Sequence, residues 1–230
     1  MAQYQFGETE RFSLFCEYGG KQIKWVYPPI RRNSDYFFEM ISEDSELVPT
    51  DDLGLALLVK GAFSSSSLKW EKVKSIMKRD GNLGIPKKLL WMPSTHEFVG
   101  VFVGNFLRGK SYFPGIAVPE SLEGWKKENE IYFNLDGNVI FVPRNSYELG
   151  DQRDFSKNGF VVALLGSLES AKVVQEVTRE KSLVPFARGI DITKIEKPIS
   201  GVAGIDVGFS RLRIGEIRKE YDSSYFFGMI

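Results

Sequence analysis

GNFLRGKS, residues 104–111, has the Gly, four residues, Gly-Lys-Ser form of a phosphate-binding P-loop. In such a loop the backbone N–H groups and the following helix N-terminus point at the phosphates. The lysine reaches the outer phosphates, and the serine hydroxyl holds magnesium. Here those contacts would fall to Arg108, Gly109, Lys110 and Ser111. The chemistry needs a buried strand before the loop and a helix starting at Lys-Ser. FVGVFV supplies the strand. SYFPGIAVPE does not supply the helix, because Pro114, Gly115 and Pro119 break one within its first turns. Phe106 and Leu107 are also bulky where the backbone must approach a ligand. A nucleotide-binding hydrolase is therefore an alternative and not the leading reading.

The remaining catalytic chemistries are short of residues. His96 is the one histidine, which excludes multi-histidine metal centres and HExxH zinc sites. Cys16 is the one cysteine, so no disulfide can form within the chain and thiolate metal clusters are excluded. In an alternating strand Cys16 is expected to be buried, which weakens a Cys16–His96 dyad. No lysine has Asp or Glu two positions before it, the spacing a restriction-type nuclease strand uses. A second glycine-rich stretch, SGVAGIDVGFSRLRIGEI, lacks the helix a dinucleotide fingerprint requires and reads as a glycine-bearing bend between two strands. No metal and no cofactor is expected.

Binding chemistry has more support. Aromatic residues make up 13% of the chain, led by Phe, which implies a well-filled core or an aromatic contact surface. The formal net charge is zero, so no global field draws the protein to nucleic acid or membrane. Charge is nevertheless segregated. Seven acids lie between Asp35 and Asp52 without a Lys or Arg, and nine basic residues against three acids lie between Lys69 and Lys110. These runs either pair with each other or leave a basic patch. Cations beside aromatic rings, as at Lys69-Trp70 and Trp125-Lys126-Lys127, suit single-stranded nucleic acid. On that reading the phosphate contacts would come from Lys72, Lys78, Arg79, Arg211 and Arg213.

Several elements must position these groups. RFSLFCEY and KQIKWVY alternate around Gly19-Gly20, a two-residue hairpin signal. Asp136-Gly137 predicts a second hairpin between IYFNL and NVIFVP. LGLALLVKGAF reads as a helix with Thr50 as N-cap, and LKWEKVKSIMKR as a helix after the Ser64–Ser67 run. In the latter, Trp70, Val73 and Met77 share one face while Lys72, Lys78 and Arg79 fall mostly on the other. GFVVALLG reads as a buried strand leading through Ser167 into the helix LESAKVVQEVTREK, with strands after it. The fold class is α+β, with a mixed or mainly antiparallel sheet, about three helices and a C-terminal strand–helix–strand unit. The chain reads as a single domain, 1–230, with a possible subdivision into 1–142 and 159–230 around a loop at 143–158.

GFVVALLG, its following helix and the late GFSRLRIGEIRK are similar to the ferredoxin-like RNA-binding subunits of CRISPR systems. The similarity covers a minor part of the chain and lacks their Gly-x-Gly spacing; it implies RNA binding. The N-terminus lacks the basic start and apolar run of a signal peptide, and no apolar stretch is long enough to span a bilayer. The sequence thus predicts a cytoplasmic, non-catalytic binding protein or assembly subunit with a macromolecular partner, protein or nucleic acid, and no membrane association.

Overall fold

The computed structural model describes residues 3–8, 13–32, 47–80, 83–93, 97–105, 122–128, 131–133, 139–144, 150–151, 154–188, 195–197, 199–208, 210–217 and 224–230. The Gly-Gly signal makes the first hairpin. Strands β2 (Ser13–Tyr18) and β3 (Lys21–Val26) pair antiparallel with Tyr18 opposite Lys21. Gly19 and Gly20 take φ of 58° and 75°, the left-handed region that a tight primed turn demands at both central positions. Alternation buries Leu14, Cys16 and Trp25. β1 (Gln5–Glu8) adds to the outer side of β2, while β16 (Gly228–Met229) and β5 (Val48–Pro49) extend the other side. The last residues of the sequence thus lie beside the hairpin formed by the first.

A larger sheet runs in the order β11-β12-β14-β13-β6-β7-β10-β9-β8. Its strands are β11 (Gly150–Asp151), β12 (Val184–Arg188), β14 (Arg211–Ile217), β13 (Ile199–Gly208), β6 (Leu83–Pro93), β7 (Phe98–Asn105), β10 (Val139–Pro143), β9 (Ile131–Phe133) and β8 (Lys126–Glu128). β15 (Ser224–Phe226) joins it through β6 and pairs with β4 (Ile30–Arg32). Pairing is antiparallel except at β12–β14 and β15–β6, so the sheet is mixed and mainly antiparallel. β9 and β10 pair antiparallel, Phe133 opposite Ile140; the Asp136-Gly137 turn expected between them lies outside the described residues. β10 is apolar throughout because both its faces are covered. Ile140 and Val142 enter the main core, whereas Val139 and Phe141 enter a second cluster with Trp125 and Tyr132.

Four α-helices are described: α1 (Asp52–Ser64), α2 (Leu68–Ser75), α3 (Gly159–Leu164) and α4 (Leu168–Glu180). This is an α+β protein. The cap of α1 is Asp51, not Thr50: Asp51 Oδ1 accepts from the Gly54 N–H at 2.6 Å. Thr50 is turned inward, and its hydroxyl donates to the Phe227 carbonyl at 2.5 Å. α2 continues into a π-helical turn, Ile76–Asp80, and its predicted face of Trp70, Val73 and Met77 is buried.

The C-terminal strand–helix–strand reading is corrected at its first element. GFVVAL is helix α3, capped by Asn158, whose side chain accepts from the Val161 N–H at 3.0 Å. Every residue of α3 is buried, so no polar side interrupts the run. A short apolar run carries no period that separates a strand from a buried helix. Without that strand, the likeness to ferredoxin-like RNA-binding subunits loses the βαβ unit that carried it. The second glycine-rich stretch is two paired strands, with the glycines placed mostly inside the first. Gly201 and Gly204 lie within β13, so the connection between the two expected strands falls only after Gly208, which ends β13 opposite Arg211 of β14; Gly208 also leaves room for Arg213, whose Nη2 lies 2.8 Å from where a Cβ would stand. Within the loop expected at 143–158, Phe155 is fully buried and its N–H donates to Gln175 Oε1 at 2.5 Å.

α2 lacks a side-chain cap from its own Ser67, and Glu8 of β1 takes that place. Its carboxylate accepts from the Ser67 hydroxyl and, at 2.9 Å, from the Lys69 N–H. Burial alone would raise this carboxyl's pKa; the Ser67 and Lys69 hydrogen bonds and the Lys69 charge outweigh it and hold it below its usual range. A lowered folded-state pKa means stability present above the unfolded value and lost as pH falls through the folded one. Glu8→Gln should therefore cost about 1 kcal/mol near neutral pH, the usual size of a lost cap. Urea unfolding of both proteins should show that gap closing well below pH 4.3, roughly the value of an unperturbed glutamate.

Candidate functional site

The most built surface lies where the first hairpin meets α4. Tyr4 precedes β1 and Tyr18 ends β2, and the register that sets Gln5 opposite Glu17 brings the two tyrosines together. Their rings stack with centroids 5.5 Å apart and planes 13° apart, and Phe6 continues the stack beyond Tyr4 at 6.1 Å. Along α4, Glu169, Glu176 and Glu180 recur at spacings of seven and four, which places them on one side of the helix. Tyr18 donates to Glu169 Oε1 at 2.8 Å, and Tyr4 donates to Glu176 Oε2 at 2.8 Å.

Beneath these groups sits Lys60. It is the one charged side chain in the buried stretch of α1 and is only 3% exposed. Its ammonium lies 2.5 Å from Glu180 Oε1, 3.4 Å from Glu176 Oε2 and 5.2 Å from the Tyr4 ring centroid. A buried ammonium needs such partners, since its desolvation is otherwise uncompensated. Two grooves flank the cluster and share Tyr4 and Gln5. One, of about 940 Å³, runs over Tyr18, the Gly19–Gly20 turn, Gln22, Glu17 and Glu169. The other, of about 890 Å³, runs over Lys60, Ser64–Ser66, Glu176 and Arg179.

The electrostatics keep both tyrosines protonated. The hydrogen bond to Glu169, and then burial, push the Tyr18 phenol up to about 12. Burial, and then the hydrogen bond to Glu176, push Tyr4 up as well. Each phenol therefore spends its proton on a carboxylate and keeps its oxygen lone pairs as acceptors. Cys16 is pushed up to about 12 by burial and neighbouring Glu17, which makes it an inert thiol in place of a nucleophile. Among the described residues no group of three His, Cys, Asp or Glu side chains is arranged to hold a metal ion. What the cluster can do is present flat, fixed rings and hydrogen-bond acceptors.

The residues singled out from sequence lie elsewhere. Lys72 is exposed on α2, and Lys78 and Arg79 are exposed on the π turn. The Lys78 ammonium lies 5.8 Å from the Phe63 ring centroid. Arg211 and Arg213 are on β14: Arg211 lies 5.2 Å over the Phe186 ring, and Arg213 is 3.6 Å from Asp206. Gly104 and Asn105 end β7, while Arg108, Gly109, Lys110, Ser111 and His96 lie outside the described residues. Sequence reasoning missed Tyr4, Tyr18, Lys60 and the α4 glutamates. The signal it passed over was Lys60 itself, a lone charge in the apolar run LGLALLVKGAF.

No protein-family model and no curated protein matches this chain. A solved structure does match: one described as "Accommodation of massive sequence variation in Nanoarchaeota by the C-type lectin fold". The match covers 93% of this chain and 100% of that one, with a TM-score of 0.52 and 12% sequence identity. At that identity the likeness concerns fold alone, and it places this architecture beside the C-type lectin fold. No helix among the described residues is long and apolar enough to cross a membrane.

Proposed function

We propose that this chain is a non-catalytic binding protein that takes a macromolecular partner on the surface around Tyr4 and Tyr18. The observation that carries the reading is the stacked tyrosine pair, each phenol fixed by a glutamate of α4. Tyrosine supplies large, amphipathic contact area with few torsions to freeze, and Gly, Ser and amide side chains supply adaptable hydrogen bonds around it. Gln5, Gln22, Gly19, Gly20 and Ser64–Ser66 line the flanking grooves in that role. Fixing the rings before a partner arrives lowers the ordering cost of association. The Nanoarchaeota structure is described as a fold that accommodates massive sequence variation, and a scaffold that tolerates sequence change suits a binding role. A cytoplasmic setting belongs to the same proposal.

The alternatives have less support. β7, which leads into GNFLRGKS, has antiparallel neighbours on both sides, unlike the parallel strand–loop–helix unit in which a P-loop works. The basic candidates for nucleic acid divide between the α2–π segment and β14.

Peptides selected from a random displayed library on the full chain test the reading. The selected peptides should lose about tenfold or more in affinity on Tyr18→Ala, the scale of a hot-spot residue, with the melting temperature of the variant largely retained. Binders indifferent to Tyr18→Ala but weakened by charge reversal of Lys72, Lys78 and Arg79 would overturn it in favour of the basic face.

A further inference from the structure

We propose that the groove between the β2–β3 turn and α4 receives a basic segment of a protein partner, with an arginine side chain lying against Tyr18 and Glu169. This deepens the binding reading above and rests on it. The argument is one of complementarity. Both phenol protons are already committed to carboxylates, so the two phenols offer lone pairs and no donors, and Tyr18, at the end of the stack, offers ring surface. Glu169 and Glu17 are exposed, with Lys21 as the one cation among the described groove-lining residues. The adjoining groove is balanced, with Lys60 and Arg179 against Glu176 and Glu180, so the uncompensated negative charge lies on the side of Glu17 and Glu169.

The carboxylates, phenol oxygens and rings of the lining favour a ligand that donates and is positive, while the amides of Gln3, Gln5 and Gln22 can serve either as donors or as acceptors. Guanidinium is such a group: planar, permanently charged, with five N–H donors and no acceptor. It stacks on aromatic faces and binds carboxylates bidentately. A phosphate or nucleic-acid strand could use the rings but would meet Glu17 and Glu169 unpaired, and a neutral apolar ligand would strip water from those carboxylates without replacing it. Lys21 and Gln22 at the turn leave room for specificity toward the flanking residues; Gln22 Nε2 already lies 3.4 Å from Glu17 Oε1.

The probe is a short glycine–serine peptide carrying two arginines, with its lysine and citrulline counterparts, titrated calorimetrically against the full chain. The arginine peptide should bind more tightly than the lysine peptide. The citrulline peptide, which keeps the shape and loses the charge, should bind at least about tenfold more weakly. Glu169→Gln and Glu17→Gln should each weaken the arginine peptide several-fold, Lys21→Glu should strengthen it, and added salt should reduce affinity. Equal binding of the arginine and citrulline peptides, or no response to either glutamate substitution in folded protein, would overturn the inference. Library-selected binders that depend on Tyr18 but carry no basic residue would also overturn it while leaving the reading of a tyrosine-based binding surface intact. Binders that ignore Tyr18 sink both.

Discussion

Trp70→Ala is expected to remove about 3–5 kcal/mol of stability, the range for truncating a large buried aromatic. Trp70 is fully buried and holds α2 against the first sheet. Its ring meets Trp25 edge-on at 5.9 Å and Phe6 edge-on at 5.6 Å, and its Nε1–H donates to the Gly7 carbonyl at 3.2 Å. Truncation empties the space between two rings and strands a backbone acceptor, so packing and hydrogen bonding fail together. The same ring explains Gly61 in the middle of α1. A Cβ there would sit 2.5 Å from Trp70 Cη2 and 2.8 Å from Phe6 Cδ1, closer than packed carbons come. Gly61→Ala should therefore cost about 1–3 kcal/mol by overpacking, against the gain of up to about 1 kcal/mol that Ala brings to a helix interior. Urea denaturation should show lowered midpoints at unchanged slope for both variants. Combining Gly61→Ala with Trp70→Phe, which vacates part of the indole's space, should cost less than the sum of the singles. Strict additivity would show that the two residues do not compete for one volume.

How far such contacts could be read in advance depends on how local their causes are. The Tyr18–Lys21 turn is written in two glycines. The buried face of α2 is written in the spacing of Trp70, Val73 and Met77, and the start of α4 in Ser167, whose hydroxyl accepts from the Ser170 N–H at 3.1 Å. Each signal spans only a few residues. GFVVAL failed because burial on all sides removes the alternation that would have told helix from strand. The cap of α2 was not legible near the helix because its acceptor, Glu8, arrives from β1, far away in the chain. The tyrosine site failed for the same reason on a larger scale. Its parts come from residues 4, 18, 60 and 169–180, and nothing near Tyr4 announces Glu176. The basic stretch from Lys69 to Lys110 drew attention because it is contiguous in sequence, yet it divides among α2, the π turn, β6 and residues outside the described set.

The buried ammonium of Lys60 predicts an asymmetry. Lys60 itself is almost fully enclosed, whereas the side chains of its partners Glu176 and Glu180 are 43% and 50% exposed. Glu176→Ala with Glu180→Ala leaves a charge in the core without a counter-ion and takes the acceptor from Tyr4. That double variant should lose about 3 kcal/mol, the lower end of the cost of an orphaned buried charge, because shortening two half-exposed side chains also lets water approach. Lys60→Met leaves the charges on the other side of the pair. It keeps the apolar stem, and both glutamates can turn toward solvent, so the loss should stay below about 1 kcal/mol or become a gain, as for other buried ion pairs replaced by apolar groups. Adding Lys60→Met to the double glutamate variant should then recover most of what that variant lost, since no unpaired charge remains inside. Chemical denaturation of the three proteins decides the matter. A Lys60→Met loss as large as the double glutamate loss would mean that the ammonium stabilises the fold through attraction to its partners. No recovery in the triple variant would mean that the glutamates act on Tyr4 and α4 and not on Lys60. Full recovery would identify the desolvated ammonium as the reason the carboxylates line up along α4.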